Sequence, residues 1–135
     1  MPELDFAFLA DVARIKNGVL DVLGIGFDTI GVAAFPAAHQ TFLVLRVAFR
    51  QDDCGVTHRI EAVVQGPDGE RLAGVSINVE ATWPDEDPPG DRVTMPAAIP
   101  LVVPLAAGGD HSVDIAIDGA HAKAIGFRVV EQPVP

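Results

Sequence analysis

Val75-Ser76-Ile77-Asn78-Val79-Glu80-Ala81-Thr82 alternates apolar and polar side chains without a break. Successive side chains of an extended chain point to opposite faces. This spacing therefore puts Val75, Ile77, Val79 and Ala81 on one face and Ser76, Asn78, Glu80 and Thr82 on the other. Such a strand has one wet face, as antiparallel sheets allow. The pattern recurs on both sides of it. Upstream, Ile60, Ala62 and Val64 face away from Arg59, Glu61 and Gln65, and Leu43, Leu45, Val47 and Phe49 share a face opposite Arg46 and Arg50. Downstream, Val113, Ile115 and Ile117 alternate with Ser112, Asp114, Ala116 and Asp118.

Turn chemistry falls between these runs. Asn17-Gly18 suits a type I′ hairpin turn, which needs positive φ at both central residues, and predicts a hairpin of strands at about Phe6–Ile15 and Val19–Ile30. Pro67-Asp68-Gly69 predicts the turn between strands Thr57–Gln65 and Arg71–Thr82. Asp118-Gly119 opens a last hairpin, whose return strand carries Ile125, Phe127 and Val129. With the stretch around Val93–Leu105, the count is about eight strands, and no segment holds a helical period. The predicted fold is all-β, an antiparallel two-sheet β-sandwich of jelly-roll type spanning residues 1–135 as one domain, with a closed barrel as the alternative.

Proline parity sharpens one strand. Pro96, Pro100 and Pro104 occupy even positions, while Met95, Ala97, Ile99, Leu101, Val103 and Leu105 occupy odd ones. Alternate residues direct their backbone N–H groups to the same lateral side, so all three missing donors lie on one side of the strand. A proline is tolerated in a sheet only where no ladder bond is needed. The segment is therefore expected to be an edge strand, with an irregular extended loop as the competing reading.

Composition bounds the function. The net charge is −10, from nineteen acids against nine bases. Nucleic-acid binding rests on neutralising phosphates with Lys and Arg, so neither nucleic acid nor an anionic membrane surface is an expected partner. Apolar residues make up 49 %, yet no run reaches the length of about 18 residues that a membrane helix needs. The opening Met1-Pro2-Glu3-Leu4-Asp5 lacks the cationic start of a secretory signal, and Cys54 is the only cysteine; a reducing, cytoplasmic location is expected.

Few constellations invite chemistry. Asp85, Glu86, Asp87 and Asp91 place four acids within seven residues on a predicted loop. Calcium takes about six to eight oxygen ligands, and Asp85, Asp87 and Asp91 are the candidate set, joined by Asp52 and Asp53 if both loops lie at one end of the sandwich. The spacing is not that of an EF-hand, and a solvated loop stiffened by prolines is the preferred reading. Cys54 and His58 sit four residues apart, but the aspartates beside Cys54 oppose thiolate formation and no second cysteine is available for zinc. His39, His111 and His121 are expected on loops, and the preferred reading is a loop thiol at Cys54 and scattered surface histidines, His58 included. Gly24-Ile25-Gly26 lacks the third glycine of a dinucleotide fingerprint and is read as a bulge or close backbone approach within a strand. Trp83 alone, without any tyrosine, makes a poor carbohydrate platform. No catalytic residue and no cofactor are expected.

Leu9-Ala10-Asp11, Asn17-Gly18-Val19-Leu20 and Val22-Leu23-Gly24-Ile25-Gly26-Phe27-Asp28 together resemble the opening of a family of short bacterial proteins known only as a domain of unknown function. The ending, Ile117-Asp118-Gly119 followed by Phe127-Arg128-Val129, is similar too. The resemblance implies a stand-alone small β domain and supplies no activity, cofactor or catalytic residue. The expected function is a non-catalytic binding or interaction module, acting on a protein partner or a second copy of itself. The alternative is a calcium- or small-ligand-binding domain that uses the acidic loops.

Overall fold

A computed structural model describes residues 1–86 and 90–132. The chain is all-β, as the alternation predicts. Among the described residues ten strands follow in order: β1 (Glu3–Ala10), β2 (Val12–Lys16), β3 (Val19–Leu23), β4 (Thr29–Val32), β5 (Ala37–Phe49), β6 (His58–Gln65), β7 (Arg71–Val79), β8 (Val93–Leu105), β9 (Gly109–Ile117) and β10 (Ala120–Glu131), with one 3-10 turn at Gln51–Asp53. They form a three-stranded sheet, β1-β5-β8, a five-stranded sheet, β4-β10-β9-β6-β7, and the separate hairpin β2-β3. No helix among the described residues is long and apolar enough to cross a membrane.

The two larger sheets enclose one core. Leu43, Leu45, Val47 and Phe49 of β5 meet Ile60, Ala62 and Val64 of β6 and Val113, Ile115 and Ile117 of β9, all buried. These are the apolar faces that alternation defines. β1 lies against β10 along one side of the sandwich and β7 against β8 along the other. On the first side the Lys123 ammonium donates to the Ala7 carbonyl at 2.9 Å, bridging the two sheets.

The turns follow their chemistry. Asn17 and Gly18 have φ of 53° and 73°, and Asp118 and Gly119 have 50° and 82°, so both hairpins turn through paired left-handed residues. Gly66 closes the Pro67–Gly69 turn by donating to the Glu70 carbonyl at 2.8 Å. β8 is an edge strand: it pairs with β5 alone, Ile99, Leu101, Val103 and Leu105 are buried, and Pro100 and Pro104 are exposed.

Three details differ from the sequence reading. The expected strand Phe6–Ile15 breaks at Asp11, so that β1 joins the three-stranded sheet while β2 leaves it. Its partner breaks too: Gly24 and Gly26 have φ of 74° and 85°, which ends β3, and a Cβ on Gly24 would collide with the Asp11 side chain. The expected close approach is real, but it lies at a strand end. Finally, β4 runs parallel to β10, pairing Thr29 to Val32 with Arg128 to Glu131, so one pairing is not antiparallel. Alternation reads out a strand's faces, not its direction relative to a distant neighbour.

The hairpin folds over the outer face of the three-stranded sheet. Ala10, Ala13 and Val44 are buried there, with Phe6, Phe8, Leu20, Val22, Phe42 and Ala98 packed against them. Two alanines at the centre let the hairpin backbone sit close. The result is a strand, β5, buried on both faces at its middle: Leu43, Val44 and Leu45 are all fully buried.

Candidate functional site

Cross-strand partners share a face, so register decides what the β2-β3 hairpin presents outward. Ala13↔Val22 and Ile15↔Leu20 face the sheet below, and Val12↔Leu23, Arg14↔Asp21 and Lys16↔Val19 face away. The outer face is thus an apolar pair, an ionic pair and a mixed pair, in that order towards the turn. Arg14 Nε donates to Asp21 Oδ2 at 3.0 Å. Leu23 is 71 % exposed and Val12 54 %, and Ile25, just beyond the hairpin, is 58 % exposed. Of the eight large hydrophobic residues exposed among the described residues, five (Val12, Ile15, Val19, Leu23 and Ile25) lie between positions 12 and 25. A shallow cavity of ≈ 670 Å³ lies here, lined by Val12, Arg14, Leu20, Asp21, Val22 and Leu23. Val12 and Leu23 are neighbours across the strands, and the Arg14–Asp21 row separates them from Val19.

The second constellation is polar and lies at one end of the sandwich. His58, at the start of β6, is buried, so the expectation of a surface histidine is corrected. Its Nε2 donates to the Asp53 carbonyl at 2.7 Å, and its Nδ1 faces Asp118 Oδ2 at 2.6 Å. Asp118 Oδ1 accepts from the Arg59 backbone N–H at 2.9 Å. Both ring nitrogens thus meet oxygen acceptors, an arrangement suited to an imidazolium. Burial by itself lowers the His58 pKa; the hydrogen bonds and charges of Asp118 and Asp53 outweigh it and raise the value above the ordinary 6.5. The Arg59 amide and then His58 lower the Asp118 pKa. Asp53 is lowered too, first by the Met1 amino group at 2.9 Å, against its burial, and then by the Arg50 amide.

This His–Asp pair resembles part of a hydrolytic triad, but its chemistry is closed. A general base needs a lone pair aimed at a nucleophile, and Nε2 is committed to a carbonyl oxygen. Cys54 Sγ lies 3.4 Å from the Arg50 carbonyl, and burial followed by the Asp53 charge pushes the thiol pKa up, away from a reactive thiolate. The cluster joins the 3-10 turn, β6 and the β9-β10 turn.

The remaining histidines are on strands, contrary to the loop expectation: His39 in β5, His111 in β9 and His121 in β10. His111 is buried, stacks on Phe127 with ring centroids 5.3 Å apart, and lies 2.9 Å through Nδ1 from the Gly109 carbonyl. Parity carried the signal. His58 shares its face with Ile60, Ala62 and Val64, and His111 shares its face with Val113, Ile115 and Ile117.

Of the candidate calcium ligands, Asp85 and Asp91 are exposed, and Asp87 lies outside the described residues. Asp91 and Asp52 line one open cleft of ≈ 300 Å³ together with Trp83 and Arg50, so the two acidic loops do lie at the same end. Asp53 is turned inward, onto the Met1 amino group and the Arg50 amide. Among the described residues, no group of three or more His, Cys, Asp or Glu side chains is placed to hold a metal ion.

Fold and site together define a class: an all-β two-sheet domain with a hairpin laid on its outer face and apolar side chains exposed on it. Residues 5–130 match the model of a family of unknown function (DUF6941), and the chain belongs to that family. No curated protein matches the sequence. Among solved structures, it is similar to Pseudomonas fluorescens alkylpurine DNA glycosylase AlkC bound to DNA containing an abasic site analog, with 8 % identity and a TM-score of 0.46. That match covers 95 % of this chain but 30 % of the glycosylase chain, and a likeness of this size supports no functional argument.

Proposed function

We propose that this domain is a non-catalytic binding and interaction module whose contact surface is the outer face of the β2-β3 hairpin. One observation carries the reading: Val12, Val19 and Leu23 lie exposed on the outer face of the hairpin, while Ala13, Leu20 and Val22 of its other face pack against the sheet. Fold stability does not require Leu23 or Val12 to be apolar at those exposures, and an exposed apolar cluster lowers solubility. A contact that covers the cluster accounts for it. The test compares wild type with a Val12→Asp/Leu23→Asp variant as bait in its native lysate. The same specific partner, recovered by wild type and lost by the variant at unchanged melting temperature, supports the reading. Identical recovery by both overturns the reading that this face is the contact surface.

A second reading is calcium or small-ligand binding by the acidic loops. Its support is the cleft shared by Asp52 and Asp91. Arg50 in that cleft opposes a cation. Calcium bound to the native state would raise the melting temperature, and replacing Asp85, Asp87 and Asp91 by Asn would abolish the rise. A melting temperature indifferent to calcium and chelator removes this reading.

A further inference from the structure

The outer face of the hairpin is complementary to itself, and we infer that its occupant is a second copy of this chain, packed face to face about a twofold axis that runs along the strands between β2 and β3. The inference rests on the proposed contact surface and names the partner that fits it. Register and charge together select this partner. Rotation about such an axis sets β2 of one copy over β3 of the other at the same height along the strands. Each outward pair of the hairpin then meets its own mirror order: Val12 over Leu23 of the second copy, Arg14 over Asp21, and Lys16 over Val19. The apolar end meets an apolar end. The ionic row meets opposite charge at both of its positions. Closed pairs of this kind are the commonest oligomers, because one patch serves both partners.

The alternative twofold, across the strands through the ionic row, would set Arg14 over Arg14 and Asp21 over Asp21. Register therefore selects one axis. Charge also selects the surface. The whole chain carries −10, which repels a second copy over most of its area. Residues 12–23 carry two cations, Arg14 and Lys16, against one anion, Asp21. In the ionic row Arg14 is balanced by Asp21, so this face lacks the acidic excess that repels a second copy elsewhere, and it is apolar at one end.

The experiment is sedimentation of the full chain over a concentration series, with two charge reversals. Wild type is expected to sediment as a concentration-dependent dimer. A chain carrying Arg14→Asp has two carboxylates in its ionic row, and a chain carrying Asp21→Arg has two cations. Each alone is expected to weaken self-association by at least about tenfold, because like charges then face one another twice. An equimolar mixture of the two is expected to form a mixed dimer, since all four charges then meet opposites. The double reversal in one chain restores the homodimer. Leu23→Asp gives monomer, with a melting curve that confirms folding.

A wild type that stays monomeric at its highest concentration overturns the inference, as do a dimer that survives Leu23→Asp and two monomeric single reversals that fail to combine. The first of these outcomes leaves the binding-module reading standing, because that reading depends on partner recovery by wild type against the Val12→Asp/Leu23→Asp bait. If both experiments fail, the reading fails with the inference.

Discussion

β5 and the β2-β3 hairpin lie one on the other, and they solve opposite problems. β5 runs thirteen residues, has strand neighbours on both edges and is buried on both faces at its middle. β2 and β3 are five residues each and pair only with one another; they bury one face and leave apolar side chains on the other. Two-stranded units are marginal alone, so the hairpin depends on β5 and its neighbours for its seat. Exposure of apolar groups is here concentrated on the hairpin. It begins where small residues, Ala10 and Ala13, let an extra layer settle on an already complete sandwich.

The largest expected effect breaks the scaffold side of that contrast. Leu45→Ala removes a fully buried side chain between the sheets and should cost about 2–5 kcal/mol, read from chemical denaturation. Leu23→Ala, the same chemical change on the bare face, should cost less than about 0.5 kcal/mol. Equal costs would mean that the hairpin face is part of the core.

The next largest concerns the His58 cluster, which ties the 3-10 turn to the β9-β10 turn beneath the scaffold. Because the folded state raises the His58 pKa, its contribution is fully present below the ordinary value of 6.5 and fades as pH rises through the raised value. The lowered Asp118 and Asp53 contribute above 3.8 and lose that contribution as pH falls through their lowered values. Stability should therefore peak between these two ordinary values and decline above about pH 6.5. His58→Gln should destabilise the domain by about 1–3 kcal/mol in that window and flatten the alkaline decline. An unchanged pH profile in thermal melts would show that the imidazolium is not held there.

A smaller effect tests the hairpin's seat. Gly24→Ala places a Cβ against Asp11 on a residue with φ of 74°, and should cost roughly 1–2 kcal/mol. The loss should concentrate in faster hydrogen exchange of β2 and β3, with β5 and β9 unchanged. Uniform acceleration would mean that hairpin and sandwich unfold as one unit. The smallest effect concerns the protected edge: Pro100→Thr should leave stability within about 0.5 kcal/mol yet raise aggregation on storage, because it restores an edge donor on β8. Unchanged aggregation would assign the prolines another role.

Much of this was legible in advance for a local reason. The spacing of Val113, Ile115 and Ile117 states which side chains share a face. Asn17-Gly18 and Asp118-Gly119 state where φ turns positive, and the parity of Pro96, Pro100 and Pro104 states which lateral side has no donors. Parity also placed His58 and His111 inward, and reading them as loose surface groups ignored the pattern of their own strands. The hairpin's exposed face was less legible, because Val12, Leu23 and Ile25 look like core residues until the partner layer is known.

By itself, then, the sequence determined most of the strands, their faces, the Asn17-Gly18 turn and one edge, since each follows from the pleat and from φ over a few neighbouring residues. The tertiary structure alone decided that β1 and β2 part at Asp11, that β4 joins β10 in parallel, that Asp118 reaches His58 from sixty residues away, and that one hairpin face leaves Val12 and Leu23 exposed. The reason is physical: pairing partners and layer order are set by contacts between distant segments, and the alternation of a single strand carries no record of which segment will cover it.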